Sequence, residues 1–315
     1  MKTILVTGAN GMLGSDVLRR LQREAGVRVV PSTADDMDIT DLEAVRDCMH
    51  RHRPTHVVHC AAYTAVDSAE REPLRAYMVN AEGTKNLAFF CRELDAELLY
   101  VSTDYVFSGA KGSPYREDDA TGPINTYGKS KLLGERYAAV LCERHKVIRT
   151  SWLNGLGGVV RRNFIETMLR LAETRPQLSV VDDQFGRPTF TFDLAEAIAT
   201  LLSVNSYGVF HVSNGGQCSW YEFALRIFEC AGKQVDVRPI PGEQFRSLAR
   251  RPANSAMENT RFPAMGLAPL PRWEDSLREY FRLRRVYLQE ERGRDEGSPA
   301  GEPATAPSAG EGAAE

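Results

Sequence analysis

The sequence predicts an α/β fold in which a doubly wound parallel sheet is followed by a smaller C-terminal lobe. Short β-branched runs alternate with amphipathic stretches, the pattern of strand–helix–strand units. A glycine cluster follows the first run directly. After Trp152 the rhythm loosens, with more glycine and proline and less regular spacing.

In order, strands are expected at Thr3–Thr7, Val27–Pro31, His56–Cys60, Leu98–Ser102 and Val147–Ser151. Helices are expected at Met12–Arg23, Leu42–Arg51, Pro73–Leu94 and Lys129–Glu143. The chain has 315 residues, more than one hydrophobic core usually organises. We therefore expect residues 1–151 to form the main sheet domain, 152–292 a second lobe with some elements returning to the first, and 293–315 a disordered tail. That tail is Gly, Ala, Pro, Ser and Glu without periodicity and has too little apolar surface to offset its ordering entropy.

With 43% hydrophobic and 26% charged residues and a formal net charge of -3, the composition points away from a polyanion-binding surface, so no nucleic-acid partner is expected. Six cysteines stand singly, never as C-x-x-C, and read as reduced thiols. The N-terminus meets glycines before any apolar run long enough for a signal peptide, and no later run approaches a membrane span. A cytoplasmic protein with no membrane partner is expected.

The segment TGANGMLG places Gly8, Gly11 and Gly14 at a strand-to-helix turn. Three glycines there provide a tight turn, a close backbone approach to a pyrophosphate and close packing of helix on sheet. The helix N-terminus adds free N–H groups that favour an anion. This is a Rossmann-type dinucleotide site, with Asn10, Met12 and Leu13 in the same turn. At the end of the second strand, VVPSTADDMDIT offers Ser32 and Thr33 before Asp35, Asp36 and Asp38. Asp38 and Ile39 suit the adenine side. Without an early acid to grip the ribose hydroxyls, the choice tilts towards NADPH over NADH, although no arginine replaces it.

Tyr127 and Lys131 stand four apart in NTYGKSK, on one face of a helix. A lysine ammonium beside a phenol is expected to lower its pKa and ready it for proton exchange with a carbonyl oxygen. Thr103, at the carboxyl end of its strand, stands where ligands of open α/β sheets collect and can hydrogen-bond the same oxygen. Other features read as structural. His56 and His59 differ by an odd offset along a strand and point to opposite faces, so no metal ligand is assigned. Trp220 and Trp273 read as packing residues, whereas Trp152 follows the fifth strand and is a candidate for ligand contact. Arg250 and Arg251 suit either a diphosphate or a solvated loop.

Together these residues resemble the extended short-chain dehydrogenase/reductases. Within them, AAYTAVDSAE, STDYVFSG, RTSWLNG, DQFGRPT, NFIETMLRLA, SWYEFA and RRPANSAM resemble the dTDP-4-dehydrorhamnose reductase family over residues 1 to about 290. The resemblance implies NAD(P)H-dependent reduction of a nucleotide-sugar substrate, with Tyr127 as proton donor, Lys131 as its partner and ribose ligand, and Thr103 bonded to the substrate oxygen. It implies that Ala61, Ala62, Tyr63 and Asn80 lie along the cofactor, and that Asp104, Tyr105, Trp152, Asn163, Gln184, Arg187 and Thr189 shape the substrate pocket. Members of this family use Mg2+ near a subunit interface, but no ligands for it are assigned here. The charged helix around Trp273–Gln289 is expected to pack on the lobe or on the neighbouring subunit of a homodimer.

One departure from the family stands out. Asn154 replaces the usual aromatic after RTSWL and predicts a wider or wetter sugar pocket. Three alternatives stay open: a reductase of another nucleotide-linked 4-keto-6-deoxysugar, a non-catalytic regulatory subunit of the same fold, and a dehydratase or epimerase. The last is disfavoured because STDYV supplies one acid after the threonine rather than two.

Overall fold

In the computed structural model, residues 2–158 and 163–296 are described. Five strands follow the expected order: β1 (Lys2–Thr7), β2 (Val27–Ser32), β3 (His56–His59), β4 (Glu97–Thr103) and β5 (His145–Thr150). A sixth strand, β6 (Gly208–His211), returns from the second half of the chain and pairs with β5. Its four residues are too few to show a period, which is why the sequence does not announce it. The order is β6-β5-β4-β3-β1-β2, and every neighbouring pair is parallel. Pro31 lies on β2, an edge strand, where a residue without an N–H is tolerated.

The strands alternate sides with period two. Ile4, Val6, Leu99, Val101, Ile148 and Phe210 face one layer; Leu5, Val57, Leu98, Tyr100 and Val147 face the other. On the first face lie α1 (Met12–Leu21) and a helix from the second half of the chain, Thr191–Leu201, joined through Leu13, Val17, Leu194 and Ile198. The opposite face carries α2 (Leu42–His52), α3 (Gly83–Glu93) and α4 (Thr126–Leu141). The expected helical stretch over Pro73–Leu94 runs without a gap from Pro73 to Glu93 and contains a π-helical turn at Met78–Glu82, between Pro73–Tyr77 and α3. Such wide turns inside helices are frequent at functional sites.

Beyond the Thr191–Leu201 helix, labelled α6, the second half of the chain supplies α5 (Phe164–Thr174), α7 (Trp220–Ala231) and α8 (Trp273–Glu296), which pack on one another. Strands Gln177–Val181 and Asp236–Ile240 pair in parallel beside them. Ile165, Leu169, Leu178, Phe223, Ile227, Trp273, Leu277 and Tyr280 close one apolar cluster there. The sequence dictates α7 locally: Ser219 and Glu222 form a reciprocal capping box, and Gly232 ends the helix in the left-handed region, the combination that satisfies both sets of free backbone groups. α8 runs to Glu296, past the expected start of the disordered tail at Gly293; residues 297–315 of that tail lie outside the described residues. Among the described residues no helix is long and apolar enough to cross a membrane.

At the amino end of the sheet, Lys146 and Glu97 form an ion pair with both side chains almost fully buried. Burial pushes the Glu97 carboxyl up and the Lys146 ammonium down, each opposed by the partner. Removing one partner strands the other charge, which typically costs about 3–5 kcal/mol. We therefore expect Lys146→Met to lose stability on that scale in urea unfolding, and the double variant Lys146→Met/Glu97→Leu to recover most of it. A single-variant loss below about 1 kcal/mol would show that the pair is not carrying this role.

Candidate active site

The chain order reverses between β1 and β3, so the crevice for a ligand lies at their carboxyl ends. The glycine turn occupies that edge. Gly8 has φ +64°, and a Cβ there would stand 2.7 Å from the Ala61 nitrogen; a Cβ on Gly14 would stand 2.1 Å from the Gly8 carbonyl oxygen. Gly11 caps α1 without any side-chain hydrogen bond, so its first N–H groups stay available for an anion. Asn10 is exposed, and the Met12 carbonyl accepts the Ser15 hydroxyl; Leu13 is buried in the core. At the end of β2 the Ser32 hydroxyl is buried without a partner. Asp38 is exposed and accepts from the Thr40 N–H and hydroxyl. Ile39 is buried, and its side chain fills the space beside Gly83.

After β3 the loop Ala61–Ala62–Tyr63 is pinned by Asn80 in the π-helical turn. Asn80 accepts from the Tyr63 N–H at 2.8 Å and donates to the Tyr63 carbonyl at 3.1 Å and to Ser130 at 3.0 Å. Ser130 donates in turn to the Tyr127 carbonyl. Asn80 is fully buried, so it acts on this loop and on α4 rather than presenting a free amide. His59 extends the network: its ring nitrogens lie 2.8 Å from the Thr7 hydroxyl and 3.1 Å from that of Thr84. Burial holds the His59 ring neutral, with its pKa pushed down to about 3. His56, at the other end of β3, bonds Thr55 instead. Among the described residues no group of three or more His, Cys, Asp or Glu could hold a metal ion.

α4 starts three residues earlier than expected because Asn125 caps it, accepting from the Gly128 N–H at 2.8 Å. A Cβ on Gly128 would stand 2.1 Å from the Tyr105 carbonyl oxygen, so only glycine lets the helix close on the turn after β4. That contact brings Tyr127 to Thr103. The Tyr127 and Tyr105 rings meet edge to face with centroids 6.0 Å apart.

The expected depression of the Tyr127 phenol by Lys131 is not seen. Burial raises its pKa, with Thr103 acting in the opposite direction. The Lys131 ammonium instead donates to the Val101 carbonyl at 2.6 Å and lies 4.2 Å from the centroid of the Tyr100 ring. Burial pushes Lys131 down to about 7, opposed by Glu135 and Cys60. Glu135, one turn further along α4, accepts from Ser102 at 2.5 Å and from Arg149 through two nitrogens, at 3.0 and 2.8 Å. The i,i+4 spacing from Lys131 could have revealed Glu135 in the sequence.

Thr103 accepts from the Tyr105 N–H at 3.2 Å and donates to Asp104 at 3.1 Å. Tyr105 accepts from Arg251 at 3.1 Å, and Arg251 also reaches Asp67 at 3.2 Å. Arg251 borders a cleft of about 380 Å3 that is also lined by Gln184, Phe245, Ser247 and Arg250. The Arg250 carbonyl accepts from Asn125, the cap of α4. Arg187 is part-buried, and its Nε has no hydrogen-bond partner. Two expected pocket residues are committed internally: Asn163 caps α5 and donates to the Gly155 carbonyl at 2.8 Å, and Thr189 is fully buried with its N–H on the Trp152 carbonyl.

Trp152 has φ +45°, a conformation rare for bulky residues and a pointer to function. Its indole stacks on Trp220 with centroids 3.4 Å apart. Asn154 does not widen the pocket as expected: it is 1% exposed and donates to the Trp152 carbonyl at 2.7 Å, bracing the strained residue from behind.

Residues 1–285 match the family described as RmlD substrate binding domain. The chain is 43% identical to a dTDP-4-dehydrorhamnose reductase of Streptomyces griseus, over 88% of this chain and 92% of that one. It is 40% identical to a dTDP-4-keto-6-deoxy-D-glucose reductase of Streptomyces niveus, over 89% of this chain and 96% of that one. The crystal structure of dTDP-4-dehydrorhamnose reductase from Bacillus anthracis in complex with NADP superposes with a TM-score of 0.86 at 40% identity, covering 89% of this chain and 99% of that one.

Two outcomes test the site's physical basis. Gly8→Val forces a side chain into positive φ and onto Ala61, so dinucleotide affinity should weaken at least tenfold in fluorescence titration, a drop of about 1.4 kcal/mol or more. Lys131 has a lower pKa folded than unfolded, so the unfolded chain binds more protons between pH 7 and 10.5, and stability from this residue rises with pH across that window. Lys131→Met should therefore be more stable than wild type below pH 7, with the gap closing towards pH 10.5 in denaturant titrations.

Proposed function

We propose, for a chain that belongs to the RmlD substrate binding domain family, that it reduces the 4-keto group of dTDP-4-dehydro-L-rhamnose to give dTDP-L-rhamnose. The observation that carries this reading is Tyr127 beside Thr103 at the carboxyl end of β4, with Lys131 one turn further along α4 and Tyr127 kept protonated by burial. A proton donor for carbonyl reduction has to arrive protonated.

The residues fit a dinucleotide. The Gly8–Gly14 turn packs so closely on Ala61 and on itself that no Cβ fits at Gly8 or Gly14, α1 begins with uncapped N–H groups, and the Ser32 hydroxyl is an orphaned buried donor at the ribose end. When bound, the nicotinamide supplies the hydride. Gly8, Asn10, Gly11, Met12, Leu13 and Gly14 would hold the pyrophosphate, Asp38 and Ile39 the adenine side, and Ala61, Ala62 and Tyr63 the far riboside, with Asn80 fixing that loop. Ser32 and Thr33 in place of a carboxylate favour NADPH over NADH, consistent with the NADP bound in the Bacillus anthracis relative.

Tyr127 gives its phenolic proton to the substrate oxygen as negative charge develops there, and Thr103 donates a hydrogen bond to the same oxygen. Lys131 supplies positive charge on the same helix face and a ribose ligand. Trp152 and Tyr105 border the sugar, while Arg187, Gln184, Arg250 and Arg251 receive the nucleotide diphosphate, the class of group that arginine forks recognise. The nearest alternative substrate is another dTDP-linked 4-keto-6-deoxysugar, favoured by the 40% identity to the Streptomyces niveus reductase.

The test is loss of NADPH and, separately, NADH absorbance when purified protein meets enzymatically generated dTDP-4-dehydro-L-rhamnose. The expected result is dTDP-L-rhamnose as product, faster with NADPH, and a kcat for Tyr127→Phe lower by about 10²–10⁴-fold with cofactor binding retained. Cofactor binding without turnover would redirect the assignment to another 4-keto sugar or to a non-catalytic subunit.

A further inference from the structure

Resting on the reductase reading, the geometry points to a hydroxyl-orienting relay. Asp104, in its acid form, donates to Thr103 so that Thr103 can donate to the substrate oxygen, and Ser255 from the C-terminal half of the chain holds Asp104 in place. A threonine hydroxyl has one hydrogen to give and two lone pairs to receive. In the structure that hydrogen goes to Asp104 Oδ1 at 3.1 Å, and one lone pair takes the Tyr105 N–H at 3.2 Å. So long as Asp104 is a carboxylate it claims the only proton Thr103 has. With a proton on Oδ1 the bond reverses: Asp104 and the Tyr105 N–H then fill both lone pairs, and the hydroxyl hydrogen is free for a carbonyl oxygen.

The surroundings favour the acid form. Asp104 is 2% exposed and, among the described residues, pairs with no lysine or arginine. The titratable groups facing it are Tyr127 from α4 and Tyr105 beside it, both lacking positive charge; Arg251 is spent on Tyr105 and Asp67. Burial pushes its pKa up to about 7, against the pull of hydrogen bonds from Ser255, Thr103 and the backbone N–H groups of residues 104 and 105. Ser255, also 2% exposed, donates to Oδ2 at 2.5 Å, leaving Oδ1 towards Thr103. Its own segment is fixed by the Ser255 N–H on the Phe185 carbonyl and the Tyr115 N–H on the Ala256 carbonyl. Asp104 and Ser255 are thus positioning residues: they act through Thr103.

The experiment compares kcat/KM across pH 6–9 for wild type, Asp104→Asn, Asp104→Leu and Ser255→Ala, with NADPH saturating. Asparagine cannot lose its donor, so the ratio of Asp104→Asn to wild type should climb with pH, approaching about tenfold per pH unit above the wild-type transition. Lys131 cancels in that ratio because it is present in both. Asp104→Leu, which cannot donate, should fall at least tenfold below Asp104→Asn at every pH. Ser255→Ala removes a bond that favours the carboxylate, so its alkaline decline should move to higher pH. A flat ratio, or equal activity of the Asn and Leu variants, overturns the relay.

A second measurement does not depend on the substrate. Asp104 has a higher pKa folded than unfolded, so its contribution to stability is complete below the unfolded value and is lost as pH rises towards 7. The Tm advantage of Asp104→Asn over wild type should widen from pH 4 to 7. A gap constant with pH overturns the relay even where the sugar reading fails, and inert wild type with a widening gap overturns the sugar reading alone.

Discussion

Much of the active site depends on how closely α4 can lie on β4. Gly128 admits the Tyr105 carbonyl, Lys131 donates to the Val101 carbonyl, and Glu135 accepts from Ser102. These three contacts follow successive turns of α4, two of them on neighbouring residues of β4 and one on the turn that follows it. Each buried polar group in the seam has a partner, as burial requires. Arg149 from β5 completes the set by holding both Glu135 oxygens. The spacing of tyrosine, lysine and glutamate along the helix is therefore as much a docking pattern as a chemical one.

A second network joins this seam to the loop that flanks the cofactor site. Thr7, His59, Thr84, Asn80 and Ser130 link β1, β3, the π-helical turn and α4 through buried hydrogen bonds. The wide turn at Met78–Glu82 places Asn80 where one side chain can reach both the Tyr63 backbone and Ser130. Polar networks of this kind are costly when incomplete, and this one is complete at every member named. It fixes the loop and the Tyr127 backbone relative to each other without an exposed group.

Local patterns made the central part of the fold legible. Five of the six sheet strands, the glycine turn and the Tyr127–Lys131 face follow from periodicity and turn chemistry, which act over a few residues. What escaped is what depends on distant contacts. β6 is four residues long and defined by its pairing with β5. The π-helical turn at Met78–Glu82 carries Asn80, whose partners Tyr63 and Ser130 are distant in sequence, and Ser255 meets Asp104 across 151 positions. Burial reversed the expected electrostatics at Tyr127, because a spacing rule places charges side by side but says nothing about how much water surrounds them. Asn154 likewise has a polar side chain whose role is set by the strained carbonyl behind it rather than by the pocket in front.

The return of β6 to the sheet also bears on how the chain is made. During synthesis β5 emerges before residues 151–207, and until Gly208–His211 follows, its outer edge carries unpaired backbone groups. An open edge of this kind is a template for pairing with another chain. The first half of the protein is thus complete in its crevice yet unfinished at its rim, so the nascent chain depends on the prompt arrival of its own later segment to avoid joining a neighbour's.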